Sequence, residues 1–164
     1  MTKKSGSKYL LGWREWVTLP ELGVPRLKCK VDTGARTSSL HAFYLDDFEE
    51  NGRRRVRFGL HPVQGSTEEA IDCVADVIDE REVCDSGGHR EMRLVIVTPV
   101  TIGPWTWPVE LTLTNRDTML FRMLLGRSAI NGRFLVNPES SFLASKQRLI
   151  APPRAKKRKK LKTA

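Results

Sequence analysis

Apolar and polar positions alternate along much of the chain, a period that predicts strands rather than helices. In RRRVRFGL, residues 53–60, Val56, Phe58 and Leu60 fall on one face and Arg55 and Arg57 on the other, after an Asn51-Gly52 turn signal. That pattern predicts one arm of a hairpin. MRLVIVTPVTIG and WTWPVELTLTNR predict two longer strands paired around Gly103-Pro104, the second with Trp107, Val109, Leu111 and Leu113 on a common face. FRMLLGRSAINGRF holds a short apolar run, Met123 to Leu125, cut by Gly126, and leaves room for only a short helix before Asn131-Gly132. Clusters of Gly, Pro, Asn and Asp punctuate the rest, and no internal repeat is evident. The expected fold class is all-β, a small closed β-barrel with one short helix.

The 164 residues fit one domain, and 40% hydrophobic content is enough for an ordinary core. Residues 1–8 are polar and are expected to be a flexible N-terminus. Residues 9–150 are the expected domain, and Pro152-Pro153 marks the start of a basic, disordered tail over 151–164. Dividing the charge changes its meaning. The chain's net +9 points to a nucleic-acid binder, but the tail alone carries seven Lys or Arg and no acid, leaving 21 basic against 19 acidic groups in the body. The body is nearly neutral. No apolar run reaches the ~20 residues that cross a bilayer, and the N-terminus lacks the apolar segment of a signal peptide, so the expectation is a cytoplasmic protein without membrane contact. Cys29, Cys73 and Cys84 suit small core hydrophobes or free thiols better than a disulfide framework.

Several chemistries lack their parts. No Gly-Lys pair exists to start a phosphate loop, and none of the three histidines sits in an H-E-x-x-H arrangement. Cys84 and His89 are close in sequence, but a tetrahedral metal site needs three or four ligands. No G-x-S-x-G turn presents a nucleophilic serine. The expected metal and cofactor content is none, and His41, His61 and His89 are expected to be surface or hydrogen-bonded structural residues.

Asp32-Thr33-Gly34 remains, inside KVDTGARTSSLHA. By itself such a tripeptide is usually a turn. Here it follows a short strand-like lead, continues into Ala35, and is matched far downstream by Leu124-Leu125-Gly126-Arg127. The pairing resembles the retropepsin-like aspartic peptidases. REVCDSGGHREMRLVIV also offers Ser86-Gly87-Gly88 as the tip of a glycine-rich hairpin flap, in the right order between the two motifs. Together KVDTGARTSSLHA, VRFGLHP, DSGGHRE, ELTLTNRD and MLLGR, across residues 11–145, resemble a bacterial retropepsin-like family long labelled ATP-dependent zinc proteases, the RimB-like family. That label names ATP and zinc, for which this sequence shows no parts.

The resemblance implies a barrel of the retropepsin-like acid protease type and an aspartic endopeptidase with Asp32 as the catalytic acid. Thr33, Gly34 and Ala35 then shape the active-site loop, Thr33 by hydrogen bonding. Leu124, Leu125, Gly126 and Arg127 support that loop, and Ser86, Gly87 and Gly88 close over substrate. Such a peptidase needs two carboxyl groups sharing one proton. Asp85-Ser86-Gly87 is a second motif match, but 53 residues from Asp32 leave no room for a second lobe, so Asp85 is expected to be a turn or flap residue. The second carboxyl is expected from a symmetric copy, in a homodimer. Arg36 is the expected reader of an acidic substrate or, equally, a surface ion-pair residue. The family implies glutamate-rich tails added to a ribosomal protein by a RimK-type ligase as substrate. The 154–162 tail is expected either to contact ribosomal RNA non-specifically or to be a solubilising end. A different class of protein stays open beside the peptidase: a catalytically silent ribosome- or RNA-associated β domain.

Overall fold

The computed structural model describes residues 9–85, 87–116 and 119–145. Ser86 and the 154–162 tail lie outside the described residues, as do residues 1–8. The elements run β1 (Tyr9–Leu11), β2 (Arg14–Leu19), a 3-10 turn (Pro20–Leu22), β3 (Val24–Val31), β4 (Ser38–Ala42), β5 (Tyr44–Glu50), β6 (Arg53–Leu60) and β7 (Ile71–Asp76). They continue β8 (Asp79–Cys84), β9 (Arg90–Ile102), β10 (Trp105–Asn115), β11 (Met123–Leu125), α1 (Arg127–Ile130) and β12 (Phe134–Val136).

Six strands, in the order β10, β4, β11, β3, β2, β9, close on themselves through the antiparallel β9–β10 pair, and β8 is added on the far side of β9. Closure removes most of the exposed edge that an open sheet would carry. The two long strands pair as expected, from Trp105↔Ile102 to Thr112↔Val95, with Trp107, Val109, Leu111 and Leu113 all buried. Alternation does the same work in β3, where Val24, Leu27, Cys29 and Val31 point inward while Arg26 and Lys30 are exposed. The expected short helix is α1, and the apolar run before it is strand β11.

The hairpin around Asn51-Gly52 also forms, but outside the barrel. β5, β6 and β7 make a separate three-stranded sheet whose inner positions Val56, Phe58 and Leu60 are fully buried in the common core. Arg55 on its outer face pairs with Glu50 and Asp76, and Arg54, on the Val56 side beyond the core, pairs with Asp47 and Glu80. Cys29 and Cys73 are buried, and burial drives both thiols upward, Cys73 to about 12. Of the two expected placements, core hydrophobe or free thiol, Cys84 takes the second: it is free and exposed on β8, the outermost strand of its sheet among the described residues. No helix among the described residues is long and apolar enough to cross a membrane.

A buried carboxylate fastens the C-terminal part of this body. Glu15, fully buried on β2, accepts the Gly12 amide at 2.7 Å and the amides of Leu143, Ala144 and Ser145 at 3.0, 3.2 and 2.9 Å. The Ser145 hydroxyl adds a fifth bond at 2.7 Å. Four backbone donors and a hydroxyl supply what burial takes from the charge.

Candidate active site

The site is built where a strand from late in the chain is inserted between two early ones. β11 lies parallel to β3, with Met123↔Cys29 and Leu125↔Val31, and antiparallel to β4, with Met123↔Leu40. β3 and β4 therefore cannot pair, and residues 32–37 must loop over the end of β11. The Asp32 amide donates to the Leu125 carbonyl at 2.9 Å, and the Ala35 carbonyl receives the Arg127 amide at 2.7 Å. The Arg36 carbonyl receives the Ser128 amide at 3.0 Å, and Arg127 Nη1 donates to the Thr33 carbonyl at 3.0 Å.

Gly126 is required by the closeness of this crossing. A Cβ there would sit 2.5 Å from the Thr37 carbonyl carbon and 2.8 Å from the Ser38 nitrogen, inside any tolerable contact. Its own amide donates to Ser38 Oγ at 2.9 Å. Within the loop, Gly34 donates its amide to Asp32 Oδ1 at 3.0 Å. Oδ2 has no hydrogen-bond partner among the described residues, so the half-buried carboxylate has one oxygen fixed and one open.

Asp32 opens into a cleft of about 1050 Å³ walled on the opposite side by β8 and the turn after it. Asp32, Gly34, Ala35, Arg36, Gly87, Leu124 and Arg127 all line it. Thr33, Gly88, Leu125 and Gly126 do not. Leu125 and Gly126 act from beneath the loop, and Gly88 turns the β8–β9 hairpin at φ +87, a backbone state that favours glycine. The Thr33 hydroxyl makes no hydrogen bond among the described residues; the support expected of it comes instead from Ser38 and Arg127.

Asp85 sits at the hairpin turn with its carboxylate occupied. Oδ1 accepts the Gly87 and His89 amides, each at 2.9 Å, and Oδ2 faces Arg116 at 3.3 Å. The His89 amide foremost, then Arg116 and the Gly87 amide, hold this carboxyl below its ordinary value against partial desolvation. It is a turn-forming group.

Two further polar residues line the cleft from inward strand positions. His41, on β4, is buried, with Nδ1 2.6 Å from Thr114 Oγ1 and Nε2 without a partner among the described residues. Burial, then the charges of Arg93, Arg116 and Arg122, push its pKa down to about 4. Arg93, on β9, is also buried and lies 3.2 Å from Glu91 and 3.4 Å from Thr112 Oγ1. His41 is hydrogen-bonded, as expected of it, and Arg93, which the sequence offers with Arg90 as positive potential beyond the hairpin tip or as a solvated hairpin residue, is buried rather than solvated. Of the cleft's guanidinium groups, Arg81, Arg93 and Arg116 face carboxylates. Arg36 and Arg127, flanking Asp32, face none among the described residues. No group of three or more His, Cys, Asp or Glu among the described residues could hold a metal ion.

A closed barrel with one aspartate loop laid over an inserted strand is the fold of a retropepsin-like peptidase domain. The chain belongs to the RimB-like family, retropepsin-like aspartic endopeptidases, which it matches over residues 10–147. It is 46% identical over 143 residues to a probable α-L-glutamate ligase of Shewanella halifaxensis and 43% identical over 132 residues to one of Desulfotalea psychrophila. Those matches cover 87% and 80% of this chain but 31% and 28% of the relatives, so the chain spans about three-tenths of their length. Among solved structures, a Legionella pneumophila protein of unknown function superposes with a TM-score of 0.70 at 26% identity, covering 84% of this chain and 99% of that one.

Proposed function

We propose that this protein is an aspartic endopeptidase that cleaves glutamate-rich peptide tails, with Asp32 as one half of its catalytic pair. Family membership and the half-open Asp32 carboxylate support the peptidase reading. Cleavage needs a second carboxyl so that one, ionised, takes a proton from water while the other, protonated, polarises the scissile carbonyl. Asp85 is committed to its turn, so the second is Asp32 of a symmetric copy, and the Thr33 hydroxyl, without a hydrogen bond among the described residues, faces that copy in this reading. Two carboxyls in contact cannot both ionise, and the shared proton supplies acid and base together.

Substrate preference rests on one observation: Arg36 makes no ion pair among the described residues while standing in the cleft beside Asp32. An unpartnered guanidinium there favours a carboxylate side chain, bound bidentately. The shared segment occurs within longer relatives named probable α-L-glutamate ligases, and a peptidase acting on the tails such a ligase adds to a ribosomal protein fits that company. The deciding experiment is a peptide panel, polyglutamate against neutral sequences, with wild type, Asp32→Asn and Arg36→Gln, alongside sedimentation. Asp32→Asn should abolish cleavage with folding unchanged, and Arg36→Gln should raise KM for polyglutamate alone. Full activity in a monomer, or in Asp32→Asn, would overturn the reading.

A further inference from the structure

Two groups of surface cations differ in their partners. On the β5–β7 sheet, Arg53, Arg54 and Arg55 lie within 3.1 Å of Asp or Glu partners. On the outer face of the β2–β3 hairpin, Arg14, Arg26, Lys28 and Lys30 meet no carboxylate among the described residues. Register places Arg14 opposite Lys30 and Trp16 opposite Lys28, so the unpaired charges surround an indole. Trp16 stacks on Phe142 with centroids 5.6 Å apart and planes 15° from parallel. Arg26 Cζ lies 3.9 Å from the Trp16 ring centroid, and Arg14 Cζ lies 4.7 Å from the Trp13 ring.

We propose that this hairpin face is a binding surface for single-stranded RNA. Unpaired cations attract any polyanion, but here they are interleaved with aromatic and guanidinium planes. Bases stack on such planes, whereas the side chains of an acidic peptide have no π-face to offer. The Trp16 amide donates to Ser145 Oγ at 3.0 Å, so the last described residue is tied to β2, and the sequence that follows, 146–164, carries nine Lys or Arg and no acid. The tail alone has charge without aromatics. The hairpin supplies the stacking that the tail lacks. None of these residues lines the Asp32 cleft, so the surface stands or falls independently of the peptidase reading.

The test is fluorescence anisotropy of a labelled oligouridine of about 12 nucleotides, with the full chain, at several salt concentrations. Arg26→Glu/Lys28→Glu is made both in the natural chain and in a full-length chain whose 154–162 basic residues are Gln. The double substitution should weaken binding at least ~10-fold in both backgrounds and lower the salt slope by about 1.4, the value for two lost phosphate contacts on a single strand. Circular dichroism checks that the variants are folded. Absence of binding by the natural chain at low salt, or unchanged affinity in the double variant, overturns the proposal. So does displacement of the RNA by polyglutamate as effectively as by unlabelled oligouridine, which would assign the face to an acidic protein segment.

Discussion

Ser38 Oγ accepts the Gly126 amide at 2.9 Å, joining two residues 88 positions apart in the chain and fixing the Asp32 loop to the strand beneath it. Ser38 is fully buried, so Ser38→Ala strands that amide without water. A loss of about 1–3 kcal/mol is expected, measured by urea denaturation, together with slower cleavage of a glutamate peptide as the loop loosens. Unchanged stability would mean the loop is held by its backbone contacts alone.

Gly126→Ala tests the same crossing sterically. A methyl group 2.5 Å from the Thr37 carbonyl carbon must push loop and strand apart. The expected cost is about 1–3 kcal/mol or more, with cleavage lost at temperatures where the chain is still folded by circular dichroism.

Glu15→Gln keeps the shape of the buried side chain and removes its charge. An amide NH₂ would face donors that now converge on a carboxylate, including Gly12 and Ser145. Destabilisation of about 2–3 kcal/mol is expected. Hydrogen exchange should show its largest increase over residues 143–145, and uniform exchange through the body would contradict the fastening role.

The buried His41 gives acid sensitivity a definite sign. The unfolded imidazole takes its proton near 6.5, the folded one only near 4. Because the unfolded state binds the extra proton first, stability falls as pH drops from about 6.5 toward 4, by about 3 kcal/mol, and levels off below. His41→Gln should flatten that part of the stability curve. A variant with the natural chain's slope would place the acid sensitivity elsewhere.

Thiol labelling separates the three cysteines. Exposed Cys84 should react within seconds to minutes with a disulfide reagent in the native protein, and buried Cys29 and Cys73 only on unfolding. Three equivalents of fast reaction would show that the barrel opens.

The strands and the Asp32 loop were legible because each depends on a local signal: alternation in β10, the Asn51-Gly52 turn, the Asp-Thr-Gly motif and its Leu-Leu-Gly-Arg counterpart. What sequence did not show depends on where distant residues meet. The β5–β7 sheet reads as ordinary alternation until its register places it outside the barrel. Nothing local in the sequence marks Glu15, and only the return of residues 143–145 makes it a hub. Arg36 could not be told from an ion-pair residue until its surroundings were known. Thr33 differs in kind, since the hydrogen bond its motif suggested is not made among the described residues.

The insertion of β11 between β3 and β4 also sets an order of events in biosynthesis. Val31 and Leu40 are made early, but the strand that must lie between theirs arrives only with Met123–Leu125. Contacts this distant in sequence form late and slowly. A nascent chain thus has no assembled aspartate loop until most of it has been synthesised, and the topology acts as a timer that delays the site until the barrel around it can close.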